Sequence, residues 1–568
     1  MERRVFIAVI LSFAVLYSYQ ALFVPSKPAP ASSTAAPAPT SASTGGVTTP
    51  TQAAPEVAAQ TEPAPEPGAE TVVGESAARE IVVDTRDARI VLTNRGASVV
   101  HWELKDYRNG QGAMVDLVPS GLPSDQPTPF TLRVDDERVS RKMQAAIYRV
   151  SGDQNGHVDA SSQPQDVVFE FQDASGLSVR KTFRFEPVRH QVHFSVAARQ
   201  GNSTLNPVVV WGPGLGDLGA TSGGGSFFTG NYVQPPQAIY HRAGEVERHT
   251  AEALASQPAH DGSFRFVGID DHYFIATAVN AGQAKATYKA LTLPGPGQTQ
   301  RQLLGFELAF AKSPENVLFF VGPKLFDELK VVDAELVRAI NFGMFAWLVV
   351  PLLGTLKWIV GFLGNYGWSI IALTIGLNLA MFPLRHKAAV AMRKMQQVQP
   401  LMKAIQDRYA HLKMTDPGRQ KMNEEISALY KEKGVNPASG CVPTLLTLPV
   451  LLAFYSLLSQ SIELRGAPFL GWIQDLSSAD PYYVLPVLMG VTMMWQQWVT
   501  PASVDPSQQK VMMVMPVMFT AMMLFSPSGV VLYWFVSQVW AIGQQYFTNW
   551  MIGPATPGRP AVPALGRK

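Results

Sequence analysis

The chain has 568 residues, 47% of them hydrophobic, and a formal net charge of +2. So even a balance excludes a strong global field for nucleic acid, and DNA is not an expected partner. A single cysteine, Cys441, excludes an intrachain disulfide and a cysteine-rich metal cluster.

Met1 to Arg4 is a short basic stretch followed by about 20 mostly apolar residues, Val5 to Val24. A cleaved signal peptide is one reading, since Ala29-Pro-Ala31 resembles a cleavage site. The apolar run exceeds a signal core and can span about 30 Å, so residues 1–24 are read as an uncleaved transmembrane anchor, basic end inside. Residues 25–80 are rich in Ala, Pro, Ser and Thr, with ten prolines between 25 and 67. Such a segment buries too little apolar surface to offset ordering entropy, and is expected to be a disordered tether.

Residues 81–330 change character. ARIVLT, VVFEFQ, LSVRKTFRF and VHFSVAA alternate apolar and polar residues between turn signals, which predicts antiparallel sheets packed as an all-β sandwich. Following an N-in anchor, this domain is expected on the outer side. Asp270-Asp271-His272 has metal-ligating residue types but no accompanying cluster, so ordinary surface or turn chemistry is expected there.

In 331–365 an apolar run holds Lys357, with Trp347 and Trp358 nearby, which predicts a helix lying in the membrane interface. Five spans are predicted in 366–550: 368–384, 442–460, 482–499, 511–525 and 529–547. The run 511–525 is short, about 22 Å of helix, which favours a locally thin bilayer. Segment 385–440 carries eleven Lys/Arg against five Asp/Glu, whereas 461–481 is net acidic. The positive-inside rule therefore puts 385–440, both termini and the basic tail 551–568 in the cytoplasm. Within 385–440, Met395, Val398, Met402, Ile405, Tyr409 and Leu412 follow a heptad seam, and Met422, Ile426 and Leu429 begin a second helix, which predicts a helical hairpin.

The chemistry-bearing patterns are sparse. There is no Walker A sequence, no acid–base pair that can be assigned and no metal set, so no enzyme, cofactor or catalytic residue is expected. The spans hold neutral polar residues, among them Thr374, Asn378, Gln496, Tyr533, Ser537, Gln538, Gln544 and Gln545, but no acids. That argues against a secondary transporter, which needs coupling groups at mid-membrane. A membrane-tethered carbohydrate-binding sandwich is a further alternative, without an identifiable acid–base set.

KEKGVNPASGCVP (431–443), VGPK (321–324), GNYGWSIIALT (364–374), DPSQQK (505–510) and FSPSGVVLYWFVSQ (525–538) resemble the YidC/Oxa/Alb family of membrane-protein insertases. The resemblance implies a polytopic α-helical protein of the Gram-negative inner membrane. It has six transmembrane helices, a periplasmic sandwich of supersandwich type and a cytoplasmic helical hairpin. It also implies a groove, open to cytoplasm and lipid, through which nascent membrane proteins are inserted and helped to fold without ATP. The implied partners are those nascent chains, the Sec translocon with SecDF, membrane lipids, and a ribosome or signal-recognition-particle receptor at the hairpin and tail. By resemblance the groove residues are Thr374, Thr447, Leu448, Pro449, Tyr533 and Trp534, and the hairpin contacts are Arg393, Lys394, Lys403 and Arg408. Asn378 departs from the pattern, because the family commonly has an arginine there. Arg385 lies seven residues on, about two turns along the same helical face, and is expected to supply the positive charge at the groove mouth.

Overall fold

The computed structural model describes residues 71–552, except 110–111, 120, 124, 216–233, 295–299, 410, 412–415, 417, 436–441 and 500–505. The anchor expected over 1–24, most of the tether and the basic tail lie outside the described residues, as do the side chains of Thr447 and Leu448.

Alternating sequence does produce sheet. Leu177–Phe185 buries every second side chain, with Val179, Phe183 and Phe185 inward and Arg180 and Arg184 outward. Period-2 patterning of this kind fixes which face meets the core. A 14-stranded sheet has as its spine Thr71–Val73, Gln165–Asp173, Leu177–Phe185, Gln191–Gln200, Val317–Pro323, Phe274–Pro294, Ala259–Asp270, Gln237–Arg242 and Glu245–Thr250, in that spatial order. A 5-stranded sheet between residues 80 and 159 faces it. Ile81, Ile90 and Trp102 from the small sheet share one buried cluster with Phe169, Phe183 and Phe194 from the large one. The pairing is antiparallel except where Glu80–Asp84 runs parallel to His157–Asp159.

The sheet domain begins ten residues before the boundary at 81. Thr71–Val73 pairs with the strand Gln165–Asp173, and Arg79 bridges Glu75 and Asp153 at 2.7 Å each. Arg79 holds both carboxylates below their usual pKa range. Three residues without an aromatic neighbour are too short a run to stand out as a strand.

After the last strand come the helices α1 (Phe326–Val332), α2 (Ala346–Leu363), α3 (Tyr366–Arg408), α4 (Gly418–Glu432), α5 (Val442–Gln460), α6 (Val484–Val499), α7 (Pro506–Met523) and α8 (Ser528–Ile552). In α2, Val349, Leu352, Leu353 and Leu356 are buried, whereas Trp347, Trp358 and Phe362 are exposed. Lys357 does not reach for water. Its ammonium pairs with Asp327 of α1 at 2.8 Å and with the buried Glu463 at 2.9 Å.

Helix α3 has 43 residues and runs through both Pro383 and Pro400. The segment expected as a span and the first arm of the hairpin are thus one element. The second arm, α4, returns antiparallel: Tyr430 reaches the Met402 sulfur at 3.0 Å, and Arg408 and Tyr409 both reach Glu425. Val398 and Ile405 of the predicted seam are buried, while Leu412 lies outside the described residues.

By length and composition, two described helical stretches are long and apolar enough to cross a membrane, Gly343–Leu363 and Tyr366–Met395. Pro449–Gln460 and Met513–Met523 are shorter apolar helices.

The Asp270–His272 stretch differs from expectation. It forms a turn, but a buried one: Asp270 is fully enclosed and paired with Lys324 at 3.1 Å, and His272 is only 6% exposed. A charge pair needs such a partner to sit out of water.

Candidate functional site: a polar cavity among apolar helices

Helix α3 starts at Asn365, whose side chain accepts from the Trp368 N–H and donates to the Pro468 and Phe469 carbonyls. Its cap thereby pins the helix to the loop after α5. Three and four residues apart, Thr374, Asn378, Met381 and Arg385 then line up on one face.

Each polar member of that face is tied to the next. Thr374 Oγ1 donates to the Ile370 carbonyl at 2.6 Å, and Asn378 Nδ2 donates to the Thr374 carbonyl at 2.8 Å. The Asn378 Oδ1 that remains accepts from Arg385 Nη1 at 2.7 Å. A primary amide suits this place because it donates and accepts at once. The guanidinium is therefore folded back along the helix towards Asn378.

Asn378 and Arg385 line a cavity of about 490 Å³, together with Val450 and Leu451 of α5, Gln496 of α6, and one face of α8. That face carries Tyr533, Trp534, Ser537, Gln538, Ala541, Gln544, Gln545 and Thr548, spaced by three and four residues. Rings hold the aromatic pair in place, Phe454 against Tyr533 at 4.3 Å and Phe519 against Trp534 at 4.6 Å. Among the described lining residues, Arg385 is the one with a charged side chain.

Trp534 Nε1, Gln538 Oε1 and Thr548 Oγ1 are buried and find no partner among the described residues. Each such atom costs about 1–3 kcal/mol unless an occupant of the cavity satisfies it. Water or the main chain of a guest polypeptide has the required donors and acceptors. The wall is thus built for hydrogen bonding yet surrounded by apolar helices.

The other expected residues distribute as follows. Thr374 is fully buried behind Asn378 and does not line the cavity. Pro449 precedes the lining pair Val450–Leu451, and the side chains of Thr447 and Leu448 are outside the described residues. On the hairpin, Lys394 and Lys403 are exposed, Arg408 pairs with Glu425 at 2.9 Å, and Arg393 is bonded to Asn549 at the end of α8. Gln496, Gln538, Gln544 and Gln545 stand out in the sequence as neutral polar residues within spans, open to both an interhelical hydrogen-bonding and a wet-cavity reading, and the structure brings them to one wall. For α8 the available signal was the three- and four-residue spacing of Tyr533, Ser537, Ala541, Gln545 and Thr548, the face that also carries Gln538 and Gln544.

Known proteins match this layout from end to end. A family described as "YidC periplasmic domain" matches residues 80–354, and one described as "60Kd inner membrane protein" matches 358–554. The "Membrane protein insertase YidC" of Geobacter metallireducens is 34% identical over 581 residues, covering 98% of this chain and 99% of that protein. This chain belongs to the YidC membrane-protein insertase family. A second relative, from Geobacter sulfurreducens, is 35% identical over 573 residues, with 98% and 99% covered. A solved structure titled as an active YidC insertase with its first transmembrane domain resolved aligns at 17% identity. It covers 84% of this chain and 94% of the solved one with a TM-score of 0.35, too loose a superposition to add to the assignment. The family descriptions name an inner membrane protein and a periplasmic domain, and the region matched to the periplasmic domain takes in the sheet domain from Glu80 onwards, α1 and the start of α2.

Proposed function

We propose that this chain is an insertase and folding factor for inner-membrane proteins, and that the cavity between α3, α5, α6 and α8 receives the incoming segment. The observation that carries this reading is the cavity wall itself: amides, hydroxyls and one guanidinium enclosed by apolar helices. Carrying a polar flank across hydrocarbon costs several kcal/mol per uncompensated polar group. A hydrogen-bonding wall part-way across lowers that cost for any sequence, because every polypeptide has the same main-chain groups. No step needs ATP.

In the topology that fits this reading, residues 1–24 and α3, α5, α6, α7 and α8 make six crossings, and both termini are cytoplasmic. The sheet domain is periplasmic, and α2 lies in the outer interface with Trp347, Trp358 and Phe362 towards lipid. The locally thinned bilayer expected from the short run 511–525 belongs to the same proposal. The α3–α4 hairpin is then the cytoplasmic arm, where the exposed Lys394 and Lys403, with Arg408 once it leaves Glu425, would meet a ribosome or a signal-recognition-particle receptor. Cooperation with the Sec translocon and SecDF belongs to the same proposal.

Purified protein in lipid vesicles is expected to insert a small one- or two-span substrate without nucleotide, measured by protease protection. Insertion no better than in empty vesicles would overturn the reading.

A further inference from the structure

The buried turn at Asp271–Tyr273 does more than join two strands. Its conformation is fixed from inside: the Asp271 carboxylate accepts from the Tyr273 and Phe274 N–H groups at 2.8 and 2.7 Å. Beneath it, Lys324 Nζ donates to Asp270 Oδ2 and to the Asp271 carbonyl at 3.1 and 2.5 Å. So braced, the turn projects His272 out of the sheet domain and onto the last turn of α5. There His272 Nε2 lies 2.8 Å from the Ser459 carbonyl.

That carbonyl is one of the four at a helix end with no intrahelical donor. A carbonyl only accepts, so Nε2 carries the proton and the imidazole caps α5 from another domain. Burial, with Lys324 nearby, pulls the imidazole pKa down to about 4, so the neutral donor persists at ordinary pH.

The chain just past α5 is held on the same side. Ile462 is 2% exposed and sits in the main core of the sheet domain. Arg465 lies over the rings of Tyr273 and Phe274, 5.2 and 5.1 Å from their centroids. Nine residues back along α5, about 14 Å, Val450 forms part of the cavity wall.

We propose that His272 is a positioning residue for the cavity: by capping α5, the sheet domain sets where along its axis that helix presents Val450 and Leu451. The consequence for substrates rests on the insertion reading, whereas the contact between His272 and α5 does not. That contact gives the sheet domain a direct part in shaping the cavity, through one imidazole and one helix end.

The test uses the full chain in vesicles, with Cys441→Ser and a single reporter cysteine, Val450→Cys, probed with a small maleimide. A second reporter on the exposed face of α6, Val487→Cys, monitors global loosening. His272→Ala is expected to change the labelling rate at 450 by about 5- to 10-fold, the worth of one hydrogen bond, with no change at 487. His272→Gln keeps an N–H donor and is expected to restore the rate at 450. An unchanged rate at 450 in the alanine variant, or equal changes at both reporters, overturns the proposal. Insertion is measured in the same vesicles. A shifted rate at 450 with insertion intact upholds the positioning role and counts against the cavity as the insertion route.

Discussion

At the level of single residues, two cations show how place decides role. Arg385 is held against Asn378 inside the cavity wall. Arg385→Ala is expected to reduce insertion of substrates with acidic tails by about 10-fold, the scale of a charged hydrogen bond, and to leave neutral tails nearly unaffected. Asn378→Leu removes the acceptor and should give an intermediate loss, while Asn378→Arg, which supplies its own charge, should not. Equal insertion of acidic-tailed substrates by wild type and Arg385→Ala sinks the idea of a displaced charge. Lys181 is the opposite case: it lies in the sheet core, fully buried, with Nζ donating to the carbonyls of Gly96, Ala97 and Phe130 at 2.7–2.9 Å. Those three residues have φ of 70°, 50° and 65°, so the amine ties down backbone in the left-handed region. Burial pulls its pKa to about 7. Between that value and the ordinary one near 10.5, the unfolded chain holds a proton that the folded chain lacks, so stability rises with pH across this window. Melting of the full chain should therefore shift to higher temperature from pH 7 to pH 10, by less than burial alone would give, because the three carbonyls favour the charged amine. Lys181→Met should flatten that gain while lowering stability at every pH.

Elements were legible where their sequence is long and periodic. LSVRKTFRF and VHFSVAA became the strands their alternation implied, and every predicted span after the sheet domain overlaps a helix. Pairings stay hidden where a residue's partner is distant in sequence. Nothing local to α2 reveals that Lys357 meets Glu463, more than a hundred residues on. His272 lies in a turn, as its sequence implies, but its contact with Ser459 is hidden, because a helix end that needs a donor leaves no mark beside it. Asn378 and Arg385, by contrast, are two turns apart on one helix, and their common face could be counted. The pairing of Lys357 has a measurable weight. Asp327 is largely exposed and its bridge should contribute little, but Glu463 is 5% exposed. Lys357→Met should therefore cost about 3–5 kcal/mol by stranding that carboxylate, and Lys357→Met with Glu463→Leu should recover most of it. Thermal unfolding of the two variants in detergent distinguishes this from a merely superficial lysine, for which both would match wild type.

Over the whole molecule, one buried cluster joins the two kinds of structure. It passes from Ile239, Phe266 and Ile275 of the large sheet through Leu336, Ile340 and α2 to Ile370, Phe454 and Val530 of the helices. Contiguous apolar burial of this sort makes neighbouring regions unfold together. Amide exchange of the strands Ala259–Asp270 and Phe274–Pro294 is therefore expected to report the same opening free energy as residues 370–377 of α3, the part of that helix in the cluster. Leu353→Asp, which charges the middle of that cluster, should separate the two values. Two distinct openings in the unmodified protein would show that the shared cluster does not couple them.

The strand Phe274–Pro294 begins at the turn that carries His272 and continues for 21 residues, about 70 Å if fully extended. It is paired on both sides over Ile275–Val279 and Ala284–Thr287, and on one side from Tyr288 to Pro294. A ribbon fixed in this way is stiff against pulling, and its near end bears on the last turn of α5. A load applied to the sheet domain far from the bilayer therefore has a mechanical route to the cavity wall, with His272 as the point of transfer and the strand as its lever arm.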